Sequence, residues 1–523
     1  MKSKLVKLIL IALIPLVAGC ADWLDIKPEN EVVLENFWQN ETEAKQVLMA
    51  CYRSFSESDN VRRMIIWGEA RSDNVIEGTS TEEDVRKILE VDINASNNYA
   101  SWASMYRTIN YCNTFLHFGP EAVEKDESFF QTEYFKYKAE ALTLRALAYF
   151  YLVRTFGEVP LITEPSIDDT QNYKAAKSTE REVLDTIISN LEWAEAWAPE
   201  RYDKTPYPKS RITRDAVRSL LADVYLWDGR YIDCINACDR ILDNKDLILI
   251  NDEEMYRDLF YKGNSKESIF EFVYDDDVMM NSAVRTFYGW DGYQSGQLSF
   301  PNFLVQGTRS PFNFRIGSSY ESESDIRLKD FVNINGLLTG YYYIFKYAGI
   351  DHYESNGIDL YQYTITSPSW IVYRKPDAIL MKAEALVQSS DSGDVASLRA
   401  AVELVNQTYL RANPEPGTDS LKFENYTSKE KVAELVLRER QREFLFEGKR
   451  WFDLMRITRR EGESTTLVNY VSPKFTLDQA LQISKLSVLE ALYMPISQRE
   501  LDANPELEQN PYYETATSVT PSN

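Results

Sequence analysis

One segment of this chain restricts its fold more than any other, because it must be buried on almost every side. Residues 146–153 are all apolar and lie within a longer stretch, residues 130–156, whose large side chains recur at helical spacing. The residues that show this spacing are Tyr137, Ala141, Leu144, Ala148 and Tyr151. A helix that is apolar around its whole circumference needs other elements packed around it. Gly157 and Pro160 end it.

Further helices are predicted before and after this one. Asn40 and Glu43 have the spacing of a capping box at a helix start. A second helix covers residues 102–116, and Thr179 with Glu182 can cap a helix over residues 180–198. Together these segments predict a mainly α fold.

Two pairs of short helices have the same organisation. Residues 213–227 and 231–243 are separated at Gly229, and residues 376–388 and 395–410 are separated around Gly393. Small and large apolar residues alternate as closely packed antiparallel helices require, which is typical of tetratricopeptide-like repeats. Unrelated helical hairpins would bury their faces in the same way, so both interpretations stay open.

The middle of the chain differs from these helical parts. Residues 244–369 contain Gly, Pro, clusters of Tyr and acidic turns, with short strands predicted over residues 268–274 and 341–347. Long non-repetitive segments often carry function. We therefore predict a single domain over residues 20–523. Its parts are a helical scaffold (37–243 and 376–456), an irregular ligand-binding portion (244–372) and a C-terminal extension (457–523).

The N-terminus predicts export and lipidation. Three early lysines precede an apolar run over residues 8–17, and Ala18 and Gly19 stand directly before Cys20. This is the pattern of a secretory signal peptide, and its apolar run is too short to span a bilayer. Residues 17–20 resemble a bacterial lipobox, so residues 1–19 are predicted to be removed and Cys20 acylated. The alternative is an ordinary signal peptide in which the cysteine occurs by chance.

Composition excludes some functions. The formal net charge is −24, which opposes binding to nucleic acid. Two histidines in 523 residues argue against a Ser or Cys catalytic triad. The cysteines other than Cys20 are predicted to be buried free thiols, and no cofactor or metal is predicted. The 33 Tyr, 24 Phe and 10 Trp residues suit either sugar stacking or core packing.

Several motifs resemble one known family. The clearest is Arg438-Glu-Arg-Gln-Arg-Glu443-Phe-Leu-Phe-Glu447-Gly-Lys-Arg450-Trp-Phe-Asp453, and the others lie at residues 21–28, 138–161, 374–386 and 492–512. Together they resemble the SusD/RagB family of Bacteroidetes outer-membrane lipoproteins, in the family's order, from Cys20 to the C-terminus. One departure is Lys375, which stands where the family often has an aromatic residue.

The resemblance implies a specific function. Members bind glycans at the cell surface without cleaving them, and cover a SusC-like TonB-dependent barrel that imports the oligosaccharide. It implies a lipid-anchored protein on the outer membrane, facing the exterior. Three alternatives remain: the same lid role for peptide or another nutrient, a glycoside hydrolase with paired acids such as Glu443 and Glu447, and a structural helical-repeat adaptor.

Two segments are candidates for contacting the sugar. Trp67, Asp73 and Asn74 combine a stacking ring with planar polar groups in a predicted turn, and a matching segment lies near the ligand in the family. The alternative is a structural turn. Trp290 and Tyr293 lie in a Gly-containing loop, where a stacking role is preferred over contact with the barrel.

Three weaker candidates complete the predicted ligand site. They are Trp102, Tyr320 and Arg374. Trp102 has core residues at helical spacing, which favours burial, and Arg374 could equally form an ion pair within the scaffold. The six polar residues 438–443 lie between apolar flanks, so their guanidinium groups are predicted to pair with carboxylates and lock this helix against its neighbours.

Overall fold

The computed structural model describes residues 37–517 except for short internal gaps. The gaps are residues 168–170, 172, 203–204, 252–257, 276, 278, 290–295, 307–309, 313, 317–318, 322–323, 334–341, 348–349, 356–357, 364–366 and 392.

The α-helices are α1 (Glu41–Ser56), α2 (Ser58–Ile65), α3 (Glu83–Leu89), α4 (Ala103–Lys125), α5 (Gln131–Phe156), α6 (Glu180–Trp197), α7 (Arg214–Trp227), α8 (Tyr231–Leu242), α9 (Ser282–Tyr288), α10 (Asn302–Gln306), α11 (Ile326–Phe331), α12 (Lys375–Ser389), α13 (Val395–Ala412), α14 (Lys429–Glu443), α15 (Arg450–Glu461), α16 (Thr465–Val471), α17 (Gln479–Leu486), α18 (Gln498–Ala503) and α19 (Pro511–Thr517).

The strands are short and pair two by two. They are β1 (Ile76–Glu77), β2 (Ser268–Phe272), β3 (Leu298–Ser299), β4 (Arg315–Ile316), β5 (Ser319–Tyr320), β6 (Val332–Asn333), β7 (Tyr343–Ile344), β8 (Ile350–Ser355), β9 (Ile358–Tyr363) and β10 (Trp370–Arg374). The antiparallel pairs are β1 with β3, β2 with β10, β4 with β5, β6 with β7, and β8 with β9. The mainly α prediction is therefore confirmed.

Local signals set several of the helix boundaries. The Asn40 side chain accepts a hydrogen bond from the Glu43 N–H at 3.1 Å. Thr179 and Glu182 form a complete capping box at the start of α6. Helix α5 stops at Gly157, whose φ of +77° lies in the left-handed region that suits glycine. These predicted boundaries are confirmed.

The long helices stack in sequence. Helix α4 packs between α1 and α5, and α5, α6 and α7 each pack against the next helix along the chain. Helix α8 then packs against α12, which in turn packs against α13 and α14. The two predicted helix pairs, α7 with α8 and α12 with α13, are thus neighbours in one stack. The chain leaves this stack after α8 and returns to it at α12.

The predicted central helix lies in the core. Every residue of α5 from Ala139 to Phe156 is buried, as its apolar circumference requires. The largest hydrophobic cluster extends from Trp38 to Tyr513, and a second cluster joins α12, α13 and α14. Cys51, Cys112, Cys234 and Cys238 are free and buried, as predicted.

The irregular portion starts and ends at one pair of strands. Strand β2, at its beginning, pairs antiparallel with β10, whose last residue, Arg374, directly precedes α12. The strand predicted over residues 268–274 is confirmed as β2. Among the described residues of the strand predicted over residues 341–347, Tyr343 and Ile344 form β7, and Tyr342 pairs with Phe300 in an isolated bridge. Because β2 and β10 are neighbours, both ends of the irregular portion are fixed at the same place on the scaffold.

Candidate functional site

The segment containing Trp67 lies in the core. Trp67 belongs to a π-helical turn, Ile66–Ala70, and its side chain is fully buried. Its indole Nε1 donates a hydrogen bond to the carbonyl oxygen of Tyr99 at 2.9 Å, and its ring packs edge-on against Phe156. No face of this indole is open to a sugar, so the predicted ligand role of Trp67 is wrong and its role is structural.

Asp73 and Asn74 are buried too, and their polar atoms are occupied. Asp73 accepts hydrogen bonds from Arg450 Nε and Nη2 at 2.8 and 2.9 Å, and from Gln441 Nε2 at 3.0 Å. Asn74 donates to Glu69 Oε1 at 2.7 Å and accepts from Gln441 Nε2 at 2.8 Å. The structural-turn interpretation therefore replaces the prediction that these two residues contact the ligand.

Glu69 joins this turn to the segment that follows α14. Its carboxylate accepts from the backbone N–H groups of Phe446 at 3.3 Å and Gly448 at 3.1 Å. Burial raises the pKa of Glu69 to about 7, even though these hydrogen bonds favour the charged form. The turn therefore fastens the first part of the chain to the motif that begins at Arg438.

Arg374 is the centre of a buried group of charges. Its guanidinium donates to Glu447 Oε2 at 3.1 Å, Glu447 Oε1 at 2.7 Å and Glu267 Oε1 at 3.0 Å, and it also pairs with Glu443. Arg374 has no exposed surface. The alternative of an ion pair within the scaffold is thus correct, and the predicted contact with the ligand is wrong.

The same charged network joins the irregular portion to α14. Buried carboxylates and cations from the irregular portion, α13, α14 and the turn after α14 take part, namely Glu267, Glu321, Asp325, Arg327, Lys346, Arg411, Arg438, Glu439, Arg442, Glu443 and Glu447. The predicted pairing of residues 438–443 with carboxylates is confirmed. Burial alone would raise the pKa of Glu447, but Arg374 and Lys346 lower it to about 2. Arg442 and Arg438 likewise hold the pKa of Glu321 at about 2 against the effect of burial.

This network is inconsistent with a catalytic acid pair at Glu443 and Glu447. Both side chains are buried, and both bind Arg374. A glycosidase acid must be protonated near neutral pH and must reach the scissile oxygen. Glu443, whose pKa the surrounding arginines hold well below its usual range against the effect of burial, meets neither requirement.

Trp102 lies in an aromatic cluster of the core. It is almost completely buried, and its ring packs against Tyr106 and Phe156 at centroid distances of 5.7 and 5.2 Å. Phe156 also contacts Trp67. The helical spacing of Trp102 therefore indicated its position correctly, and the ring is not available for stacking on a sugar.

The remaining predicted positions lie partly outside the described residues. Cys20, Trp290 and Tyr293 are outside them. The backbone of Tyr320 lies in β5 opposite Arg315, but the position of its side chain is not described. Gly289 and Gly296, on the two sides of the predicted loop over residues 290–295, are described.

Two glycines close the base of this loop. The N–H of Gly296 donates to the carbonyl oxygen of Gly289 at 2.5 Å, and the N–H of Gln297 donates to that of Thr286 at 3.0 Å. A β-carbon on Gly289 would lie 2.2 Å from the Arg285 oxygen, and one on Gly296 would lie 2.5 Å from the Phe287 oxygen. Only glycine allows so close an approach at these two positions.

The loop base is attached to a polar segment that follows β1. Gln297 accepts at its carbonyl oxygen from the Gly78 N–H at 3.0 Å and from Thr81 Oγ1 at 2.6 Å. Beside it, Arg86 Nε donates to Glu77 Oε1 at 2.6 Å, and both side chains are partly exposed. The loop base and these polar groups form the candidate site. Sequence reasoning missed Glu77, Thr81 and Arg86, because the β1–β3 pairing and the hydrogen bonds to Gln297 join segments more than 200 residues apart along the chain.

The chemistry of this surface suits a neutral polar ligand. Exposed carboxylate and guanidinium groups can hydrogen-bond to pairs of hydroxyls. Trp and Tyr side chains, which the sequence has at positions 290 and 293, can supply flat apolar faces. Among the described residues, no helix is long and apolar enough to cross a membrane.

These features define a class of protein in which a scaffold of stacked helices carries one irregular portion. The family model described as "SusD family" matches residues 318–513, and the one described as "Starch-binding associating with outer membrane" matches residues 22–226. The chain belongs to the SusD/RagB family.

Relatives and solved structures agree with this assignment. SusD-like protein P38 of Formosa agariphila is 26% identical over 95% of this chain and 96% of its own length. SusD-like protein P2 of the same organism is 23% identical over 86% and 90%. A crystal structure of a SusD superfamily protein from Bacteroides vulgatus has a TM-score of 0.72 at 20% identity and covers 91% of this chain and 99% of that one. A putative sugar binding protein from the same species has a TM-score of 0.67 at 24% identity, with the same coverage.

Proposed function

We propose that this protein is a cell-surface glycan-binding lipoprotein that captures oligosaccharides and delivers them, uncleaved, to a partner TonB-dependent outer-membrane transporter. The observation that carries the proposal is the base of the loop over residues 289–296. Gly289 and Gly296 are hydrogen-bonded to each other and flank a segment whose sequence contains Trp290 and Tyr293. Gln297, the next residue, accepts from Thr81, near the Glu77–Arg86 pair. Aromatic faces next to hydrogen-bonding groups are the combination that pyranose rings require.

Family membership supports the location and the ligand class. One matching family model is described as starch-binding and associated with the outer membrane, and one similar structure is described as a surface glycan-binding protein from Bacteroides uniformis. The lipobox ending at Cys20 would attach the chain to the membrane through acyl chains, which need no transmembrane helix.

The ion pairs of the candidate acidic residues support a binding role without catalysis. Glu443 and Glu447, the pair considered for glycoside hydrolysis, are committed to buried arginine. Glu77, at the candidate site, forms an ion pair with Arg86, with 2.6 Å between Oε1 and Nε. We therefore assign these carboxylates to folding and to ligand contact.

A glycan array probed with the chain from residue 21 onward tests the proposal. We expect binding to one class of neutral oligosaccharide, and chromatography after long incubation should recover that ligand intact. Steady release of shorter sugars in excess of the protein would support the hydrolase alternative. An array without binding, together with retention on a peptide library, would support the peptide alternative.

A further inference from the structure

A cluster of three aromatic rings lies at the surface of the α5–α6 pair. The ring of Phe135 on α5 contacts Trp193 at a centroid distance of 5.5 Å and Trp197 at 4.5 Å, nearly edge-on in both cases. Trp193 and Trp197, one helical turn apart on α6, are 6.1 Å apart, with their planes inclined by 30°. The three rings therefore form one continuous apolar surface.

Core packing does not account for the outer ring of this cluster. Phe135 and Trp193 pack against the main hydrophobic core from its edge. Trp197 lies beyond them and keeps 36% of its surface exposed. A tryptophan that is left at the surface loses much of the stabilisation that its burial would give. Its exposed face is open to contact with another molecule.

A cation lies at the other end of the cluster. The Lys138 amine lies 4.6 Å from the centroid of the Trp193 ring. Within the described part of the chain it makes no ion pair and no hydrogen bond to a carboxylate. The amine therefore keeps donors for a ligand's oxygen atoms, directly beside the aromatic surface.

The size and border of the surface indicate which class of ligand it fits. Its neighbours along α5 and after α6 are charged: Glu133 pairs with Lys136 at 2.7 Å, and Glu200 pairs with Arg214 at 2.9 Å. A stable protein interface buries about 800 Å² on each partner around an apolar centre. An apolar strip three rings long, bordered by charged side chains, is smaller than such an interface. It matches the apolar C–H face of a pyranose, whose hydroxyls would reach the polar border.

We propose that Phe135, Trp193, Trp197 and Lys138 form a second saccharide-binding platform, on the helical scaffold and separate from the loop over residues 289–296. This goes beyond the proposed capture site, because its residues belong to α5 and α6 and not to the irregular portion. An open platform binds internal units of a long chain, whereas the loop site would select the segment to be imported. Two sites on one protein raise the retention of a polysaccharide that reaches both.

Fluorine NMR on the chain from residue 21 onward, labelled with 5-fluorotryptophan, tests this proposal. The Trp197 signal is assigned as the one lost in Trp197→Phe. Maltohexaose, cellohexaose and xylohexaose are each titrated to about 20 mM, high enough to saturate a weak site. We expect at least one hexaose to shift the Trp197 signal, and Trp197→Ala to weaken binding at this site about five-fold or more. Phe130→Ala is the matched control, because Phe130 is 69% exposed and lies just before α5, outside the cluster.

Two results would overturn the platform. The first is that no hexaose shifts the Trp197 signal. If a hexaose shifted the Trp290 signal but not the Trp197 signal, the proposed capture function would stand and the platform would not. The second is a Trp197→Ala variant that binds each hexaose as the unchanged chain does but no longer retains the transporter. That result would make the cluster a protein interface.

Discussion

Gly68 and Gly448 meet backbone to backbone: a β-carbon on Gly68 would lie 1.8 Å from the carbonyl oxygen of Gly448. The first glycine lies in the π-helical turn after α2, and the second lies in the turn between α14 and α15. Glu69, next to Gly68, accepts the N–H of Gly448. The contact therefore holds together two motifs from opposite ends of the sequence.

Gly68→Ala should destabilise the fold severely, because backbone cannot move aside as a flexible side chain can. We expect a loss of about 3 kcal/mol or more, typical of overpacking at a rigid contact. Urea unfolding followed by circular dichroism measures it. Gly462→Asn is the control: Gly462 has φ +69° with no atom within 4 Å of the place a β-carbon would occupy, and Asn tolerates this conformation. Equal stability of the two variants would contradict the close contact.

Arg374→Met should cost about 3–5 kcal/mol, because it leaves Glu267, Glu443 and Glu447 buried with one cation fewer. The matched control is Arg399→Met, which breaks an exposed pair with Glu424 and should cost far less stability. Chemical denaturation of both variants at pH 7 gives the comparison. If Arg374→Met instead kept full stability and lost only glycan binding, Arg374 would belong to the ligand site after all.

Acid should unfold the protein through the same carboxylates. The pKa values of Glu321 and Glu447 are about 2 in the folded chain, below the value of about 4.3 expected for unfolded Glu. A folded-state pKa that is depressed gives stability that is present above the unfolded pKa and is lost as the pH falls from about 4.5 toward 2. Urea midpoints at pH 7, 5, 4 and 3 should decline over this window.

Glu447→Gln provides the comparison for this acid transition. The variant should be less stable at pH 7, because Arg374 and Lys346 lose a charged partner. Its stability should also fall less steeply below about pH 4.5, because one titrating group is gone. Parallel pH profiles for the variant and the unchanged chain would show that Glu447 does not contribute to the transition.

Trp290→Ala should weaken glycan binding and leave the melting temperature unchanged. Loss of one stacked ring removes about 1 kcal/mol or more, which is several-fold in affinity. Calorimetry with the array-selected oligosaccharide and a thermal melt of the same sample give both quantities. Trp102→Ala is the contrast, because this buried ring should cost about 3–5 kcal/mol of stability. A large loss of stability in Trp290→Ala would place that ring in the core.

Cys20→Ala should abolish acylation and release the protein from the membrane fraction. Metabolic labelling with a fatty-acid probe, followed by fractionation, measures both effects. A neighbouring substitution, Asp22→Ala, leaves the lipobox intact and should label normally. Undiminished labelling of Cys20→Ala would contradict the lipoprotein assignment.

Local patterns predicted the scaffold well. The capping residues Thr179 and Glu182 and the apolar run of α5 act within one or two helical turns, so the sequence alone contains the signal. Pairing of residues 438–443 with carboxylates was also predictable, since six polar residues between apolar flanks must turn some charges inward. Their partner Glu321 could not be named, because it lies in the irregular portion, which has no periodicity.

The ligand residues were harder to predict for a physical reason. Trp67, Asp73 and Asn74 combine an indole, a carboxylate and an amide. The same combination of side chains can form a sugar site or a buried structural turn. Gln441 and Arg450, whose hydrogen bonds to Asp73 make this a buried structural turn, are more than 360 positions away along the chain. Glu77 and Arg86 carried no local signal either, because the contacts that bring their segment to Gln297 and β3 join distant parts of the sequence.

The closure of residues 289–296 by main-chain hydrogen bonds has a consequence for how specificity can change. The bonds from Gly296 to Gly289 and from Gln297 to Thr286 involve no side chain of the residues between them. New sequences could therefore replace the intervening positions without altering the register of their attachment. A lineage that met a new nutrient could exchange this short insert while it inherited the rest of the molecule unchanged.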